Sequence, residues 1–165
     1  MDTTPLPSTT GAYIKTLKLI HLALLAGQVF FLAVAWFLRS TGAFPAPFEE
    51  WTIFLLAVLL ITASAISAGL FIFKQRMDAI AGSKALADKL TDYRAAAIVK
   101  YALAEGPSFF AVVAYLLTGN MIILGIAVAI IAYFATMWPT VGKMSSEMNL
   151  TPDEKMKLEN QETQL

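Results

Sequence analysis

Four long runs of apolar residues limit what this chain can fold into. They cover about residues 19–38, 52–73, 97–118 and 121–138, each close to the roughly 20 residues that a helix needs to cross a bilayer. Hydrophobic residues make up 58% of the chain and the mean hydropathy is +0.66, which is far from the composition of a soluble domain. The sequence therefore predicts an all-α, polytopic membrane protein with four transmembrane helices.

The positions of Lys and Arg predict the orientation of these helices. Eleven of the twelve lie before the first run, around the connection between the second and third runs, or after the fourth, and only Arg39 lies elsewhere. Because basic residues concentrate in cytoplasmic loops, we expect both termini and the middle connection to be cytoplasmic, in a bacterial inner membrane. We divide the chain into a disordered N-terminal tail (1–14), a transmembrane domain (15–142) and a cytoplasmic tail (143–165).

The first and third apolar runs resemble each other. Residues 20–38 align without a gap on residues 99–117, and the identical pairs include Ala23/Ala102, Leu24/Leu103, Gly27/Gly106, Phe30/Phe109, Phe31/Phe110, Val34/Val113 and Ala35/Ala114. This similarity predicts a duplicated two-helix unit. Both copies would run in the same direction, which makes the repeats parallel and predicts a bundle with pseudo-twofold symmetry.

Two polar segments are expected to extend the helices into the cytoplasm. Between the second and third runs, Gly82 suits a helix C′ position and Ser83 an N-cap, which predicts a solvated helical hairpin. After the fourth run, Thr151, Pro152 and Glu154 have the spacing of a capping box with proline at the first helical position, so a short helix should follow. Either segment could instead be a surface that docks a partner.

One exchange between the similar runs is chemically important, because Ala26 in the first corresponds to Glu105 in the third. Glu105 is the only acidic residue inside any of the four runs. A charged group costs roughly 2.5–3.5 kcal/mol at the centre of a membrane helix on insertion scales, so its default interpretation is functional. The alternative is a structural role in holding helices together.

Other polar side chains are predicted to lie at a similar depth. Counting about 1.5 Å per residue, Glu105 lies roughly 10 Å inside the cytoplasmic boundary. The residues expected to share this half of the membrane, and so to form an ion or proton site with it, are His21, Gln28, Ser64, Ser67 and Ser108. Each also has a structural explanation, since serines often bond to their own helix backbone and histidine can extend to the interface.

The two residues after Glu105 are expected to shape the third helix. Pro107 lacks the amide that would bond to the Leu103 carbonyl, which predicts a kink, and Gly106 would let a neighbouring helix approach closely. The freed carbonyl, one turn from the carboxylate, could contribute to an ion or proton site. A role in packing alone explains the same residues.

Tyr101–Leu117, with the sequence YALAEGPSFFAVVAYLL, resembles the carboxylate helix of the c subunits (proteolipids) of rotary ATPases. That resemblance implies that Glu105 carries a proton or cation and that Ala26 marks the vacant site of a duplicated copy. The Gly-x-Gly-x-Gly series of those subunits is absent. As a whole the chain looks like small four-helix bacterial inner-membrane proteins.

The sequence favours an ion- or proton-handling membrane protein over an enzyme. It contains one histidine and no cysteine, and it lacks zinc-protease and phosphate-binding motifs. We therefore expect no cofactor, no metal and no nucleic-acid partner. Because four helices leave little room for a pathway, we expect a homo-oligomer or a larger membrane complex. The alternative function is a small accessory or assembly subunit in which Glu105 is structural.

Overall fold

The computed structural model describes residues 9–44, 47, 49–80, 85–160 and 162–164, and these form six α-helices. Their bounds are Thr10–Ser40 (α1), Trp51–Ile80 (α2), Leu86–Thr118 (α3), Met121–Thr136 (α4), Val141–Glu147 (α5) and Pro152–Glu159 (α6). The first four contain the apolar runs. The all-α prediction is thus confirmed.

Three of the helices, α1 to α3, are long and apolar enough to cross a membrane. The fourth, α4, has only 16 residues and is followed by α5 after a bend of 84°. At about 1.5 Å per residue α4 alone is about 24 Å long, less than a typical hydrocarbon core. The chain therefore has three helices of spanning length, or four if α4 and α5 form one bent span, which suggests a membrane protein.

Helices α1 and α3 lie side by side and run in the same direction. Contacts join them at successive heights, at Tyr13/Leu90, His21/Tyr101, Phe31/Phe109 and Arg39/Leu117. The partners in these pairs are 77 to 80 residues apart. Since the two similar runs are offset by 79 residues, equivalent positions of the runs lie at nearly the same height.

The helix contacts do not show the expected pseudo-twofold packing, because α3 occupies the centre of the bundle. It packs against α1, α2 and α4, whereas α1 and α2 scarcely touch. The connections explain the difference. Gly119, in the left-handed conformation (φ 64°), and Asn120, which caps α4 through Ile122 N, force α3 and α4 together. The longer connection from Thr41 to Glu50 lets α2 lie on the far side of α3.

The predicted tail boundary at residue 14 is wrong, because α1 already begins at Thr10. Thr9 caps the helix by accepting a hydrogen bond from Ala12 N at 3.2 Å. Thr10, Tyr13 and Ile14 are buried. The end of the chain holds this turn in place, since Thr10 N donates to Thr163 O (3.0 Å) and Thr10 Oγ1 to Asn160 O (2.6 Å).

The described parts of the middle connection are helical extensions of α2 and α3, as predicted. Gly82 and Ser83 lie outside the described residues, and α3 begins after Ala85, which occupies the N-cap position without a side-chain bond. Lys89 was expected to be solvated. It is instead 6% exposed, because the end of the chain folds over it.

The segment after α4, which we call the C-terminal strap (140–160 and 162–164), folds back onto α1 and α3. Its helix α6 has the predicted capping box, with Thr151 at the N-cap and Glu154 at N3. Met144, Met148 and Leu158 are fully buried in one apolar cluster with the adjacent parts of α1, α2 and α3. The strap is therefore part of the folded core.

Candidate functional site

The residues predicted to form one polar site are divided by the fold. Ser64 and Ser67 lie on the exposed side of α2, and Ser64 Oγ bonds to Leu60 O of its own helix. Helix α2 packs on α3 through its opposite side, where Val58 and Gly69 are buried. These two serines consequently do not reach the other candidates within one copy of the chain.

His21 is enclosed by three aromatic rings. It stacks on Phe134 at a centroid distance of 4.6 Å, while Tyr101 (5.0 Å) and Trp138 (5.5 Å) contact it edge to face. The side chain is 0% exposed, and neither ring nitrogen has a hydrogen-bond partner within the part of the chain that the structure describes. His21 thus joins α1 to α3 and α4 mainly through its ring faces and edges.

Gln28 and Ser108 are both 0% exposed, in the interior of the bundle. Among the described residues, neither the Gln28 amide nor the Ser108 hydroxyl has a hydrogen-bond partner. Buried polar groups without partners are rare and cost about 1–3 kcal/mol each. Gln28 and Ser108 are therefore exceptions to the usual pairing of buried polar groups, as is the His21 ring.

Glu105 lies on the side of α3 that faces α1. One turn before it, Tyr101 contacts His21, and one turn after it, Phe109 contacts Phe31. Its side chain is partly exposed at the edge of the two helices, and no residue in the described ranges forms a hydrogen bond or ion pair with it. By height, Glu105 lies within about one helical turn of Ser108 and Gln28.

Gly106 and Pro107 lie within α3, directly after Glu105. Helix α3 continues through Pro107, which is buried, and the predicted kink stays a prediction. The expected close approach of a neighbouring helix at Gly106 does not occur within a single copy, since a Cβ placed there would meet nothing within 4 Å. The close contact is at Gly69 instead, where a Cβ would lie 3.4 Å from Leu103 Cβ.

A second polar cluster, which the sequence did not predict, lies beneath the C-terminal strap. Lys89 Nζ donates to Glu154 Oε1 at 2.7 Å, and Tyr93 Oη to Glu147 Oε2 at 2.6 Å. Lys100 Nζ lies 3.4 Å from Glu147 Oε1 and 4.0 Å from the centre of the Phe73 ring. The capping box at Glu154 was the only sequence signal close to this cluster.

Local contacts shift the acidities in this second cluster. The hydrogen bond from Lys89 lowers the pKa of Glu154. Burial and the adjacent Glu147 carboxylate raise the pKa of Tyr93, and burial raises that of Tyr13, whose hydroxyl donates to Leu90 O at 2.7 Å. The bonds of Lys89 and Tyr93 hold the strap on the bundle, and that of Tyr13 joins α1 to α3.

Within the described ranges, no three histidine or acidic side chains converge on a point where they could hold a metal ion. No protein-family model matches the chain, and comparisons with curated proteins and with solved structures found no similar protein. The resemblance of Tyr101–Leu117 to c subunits of rotary ATPases stays a prediction.

Proposed function

We propose that this chain is a small membrane-embedded subunit that handles protons or cations, with Glu105 as the group that binds and releases the ion. The observation that carries the proposal is a carboxyl group in an apolar helix that no described residue neutralises or bonds. An intramembrane acid without a partner is costly and by default functional. The charge distribution supports a bacterial inner membrane with both termini in the cytoplasm.

Gln28 and Ser108 would serve this function as polar neighbours of Glu105. Both are enclosed and unbonded to the described residues, and both lie at nearly the height of the carboxyl group. An amide can accept or donate, and a hydroxyl can do the same. They can therefore solvate a proton or cation on its way to or from Glu105. His21, enclosed by carbon-rich rings, is the weaker candidate.

The test uses purified protein in liposomes with a pH-sensitive dye inside. After a pH or potential difference is imposed, liposomes that contain wild-type protein should lose the gradient faster than empty liposomes. Liposomes that contain Glu105→Gln should lose it at the rate of the empty ones. Glu50→Gln is the matched control, because it makes the same chemical change on an exposed residue outside the helices. Equal rates for Glu105→Gln and wild type would reject the proposal, as would a wild type no faster than empty liposomes.

The alternative function, an accessory or assembly subunit, is supported by the exposure of α2. Only 11% of the residues in the most apolar stretch of α2 are buried within the chain. A large apolar surface of this helix is therefore free to contact lipid or another subunit. Docking through the buried side of α6 is disfavoured, because Leu158 fills the chain's own core. Point substitutions on the exposed side of α2, tested by co-purification, are better suited to this alternative than removal of residues 143–165.

A further inference from the structure

Ser67 on α2 and Glu105 on α3 lie at the same height in the bundle. The two helices are antiparallel, and they touch where Gly69 faces Leu103 and where Phe73 lies under Lys100. Glu105 is two residues beyond Leu103, and Ser67 is two residues before Gly69. Because the helices run in opposite directions, these two steps lead to the same level.

The two side chains nevertheless face away from each other. Ser67 lies on the exposed side of α2, opposite the side on which Gly69 packs against α3. Glu105 lies on the side of α3 that faces α1, flanked by the exposed residues Ala102 and Gly106. A single copy therefore presents a hydroxyl on one flank and a carboxyl on the opposite flank, at one depth.

Neither group is satisfied within one copy. No hydrogen bond joins Ser67 or Glu105 to any residue that the structure describes, and lipid chains can neither donate nor accept one. Rotation of a copy about an axis along the membrane normal leaves every residue at its own depth. Copies related in this way would bring Ser67 of one to Glu105 of the next, without any shift along the normal.

We propose that copies of this chain associate side by side, with the exposed side of α2 in one copy against the α1–α3 edge of the next, so that Ser67 of one copy donates a hydrogen bond to Glu105 of its neighbour. Such an interface is heterologous, because two different surfaces meet, and it closes into a ring if the rotation permits. The site around Glu105 is then completed by a second copy.

Small residues on both surfaces favour this contact. Ala63 and Ser67 on α2 and Ala102 and Gly106 on α3 are all exposed, and the space beside Gly106 is open. Small side chains allow helix backbones to approach closely in membranes, where packing and interhelical hydrogen bonds drive association. Close approach at Gly106, absent within one copy, would occur between copies.

The absence of cysteine from the natural chain allows a direct cross-linking test. A chain carrying both Ser67→Cys and Gly106→Cys, oxidised in membrane vesicles, should give a ladder of dimers, trimers and larger species on a non-reducing gel. Each single variant should stay monomeric. Ser67→Cys with Val113→Cys is the depth control, since Val113 is exposed on the same side of α3 but about 10 Å away along the helix.

Three outcomes would overturn the proposal. The first is that neither double-cysteine chain forms a ladder. These two chains are Ser67→Cys/Gly106→Cys and Ser67→Cys/Ala102→Cys, and the second of them leaves Gly106 intact. Another is an equal ladder from the depth control, which would indicate random collision. The third is efficient dimer formation by Ser67→Cys alone, which would indicate that two α2 surfaces meet each other.

The hydrogen bond itself is tested by alanine substitution. Ser67→Ala should weaken association in detergent by about threefold, the size expected for one hydrogen bond between membrane helices. Ser64→Ala is the matched control, because its hydroxyl already bonds to Leu60 O, and it should leave association unchanged. Equal association of Ser67→Ala and wild type would reject this bond. The association does not require that Glu105 carries an ion, so a ladder without flux would reject only the proposed function.

Discussion

The imidazole ring of His21 lies parallel to the phenyl ring of Phe134, with the ring centroids 4.6 Å apart and the planes inclined by 5°. This stacking fixes the position of α1 against α4 in the half of the bundle on which the C-terminal strap lies. Because the ring nitrogens have no partner among the described residues, the ring acts here as a flat aromatic body.

His21→Phe should therefore keep or raise the thermal stability. The substitution removes two enclosed nitrogens without partners and retains a planar ring of similar size, and such replacements are nearly neutral or stabilising. Thermal unfolding in detergent, followed by circular dichroism, measures the effect. His21→Ala should lower the midpoint clearly, because it opens a cavity between three rings. A midpoint for His21→Phe as low as that of His21→Ala would contradict the prediction.

Gly69→Val should separate α2 from α3 and lower the unfolding midpoint. A Cβ at this position would already be in contact with Leu103, 3.4 Å from its Cβ, so the two methyl groups of valine should press against that side chain. Gly125→Val makes the same change on α4 where a Cβ meets nothing within 4 Å, and it should be nearly neutral. Equal effects of the two substitutions would show that the contact at Gly69 is not close.

Glu154→Gln should lower the unfolding midpoint at pH 7 by about 2–4 °C. Glutamine can still complete the capping box with Thr151, so the change isolates the charge that faces the nearly buried Lys89. The hydrogen bond from Lys89 lowers the pKa of Glu154, so the pair contributes stability above the unfolded-state pKa of about 4.3 and loses it as the pH falls below that value. The midpoints of wild type and variant should converge below about pH 4. A constant difference down to pH 3 would contradict this.

Leu158→Ala should destabilise the protein by about 2–5 kcal/mol, the range for removing a buried leucine side chain. Leu158 is 0% exposed and packs with the core that α1 and α3 share with the strap. Met156→Ala, on the same helix but 60% exposed, is the matched control and should have little effect. Limited proteolysis of the strap gives a second measurement, since cleavage should be faster only in Leu158→Ala. Equal stability and cleavage for the two variants would mean that the strap is not part of the core.

Heights along the helices could be predicted from the sequence, whereas the rotation of each helix about its axis could not. Counting residues placed Ser67 near the depth of Glu105, and the antiparallel contacts of α2 and α3 agree. Which side of α2 faces α3 depends on the neighbouring helix, and a helix that is apolar on all sides carries no periodic signal of it. For that reason Ser64 and Ser67 were predicted to share a site with Glu105 in one copy, although they lie on the opposite flank of the bundle from it.

The capping box was a reliable local signal in the sequence, whereas distant contacts were not accessible from it. The capping box at Thr151 and Glu154 has the expected geometry, because both partners lie within one helical turn. The contact between Lys89 and Glu154 joins residues 65 positions apart, and no pattern in either segment identifies the other. The early start of α1 was missed for the same reason, since its first turn is held by Asn160 and Thr163.

The pairing of Thr9 and Thr10 with Gln164 and Thr163 has a consequence for biosynthesis. The first turn of α1 is translated before its partners, which lie about 150 residues further along the chain. At about 5–20 residues per second, synthesis of those residues takes roughly eight to thirty seconds. During that interval the turn lacks the hydrogen bonds that Asn160 and Thr163 later accept, so the start of α1 is fixed only after the C-terminal strap has been made.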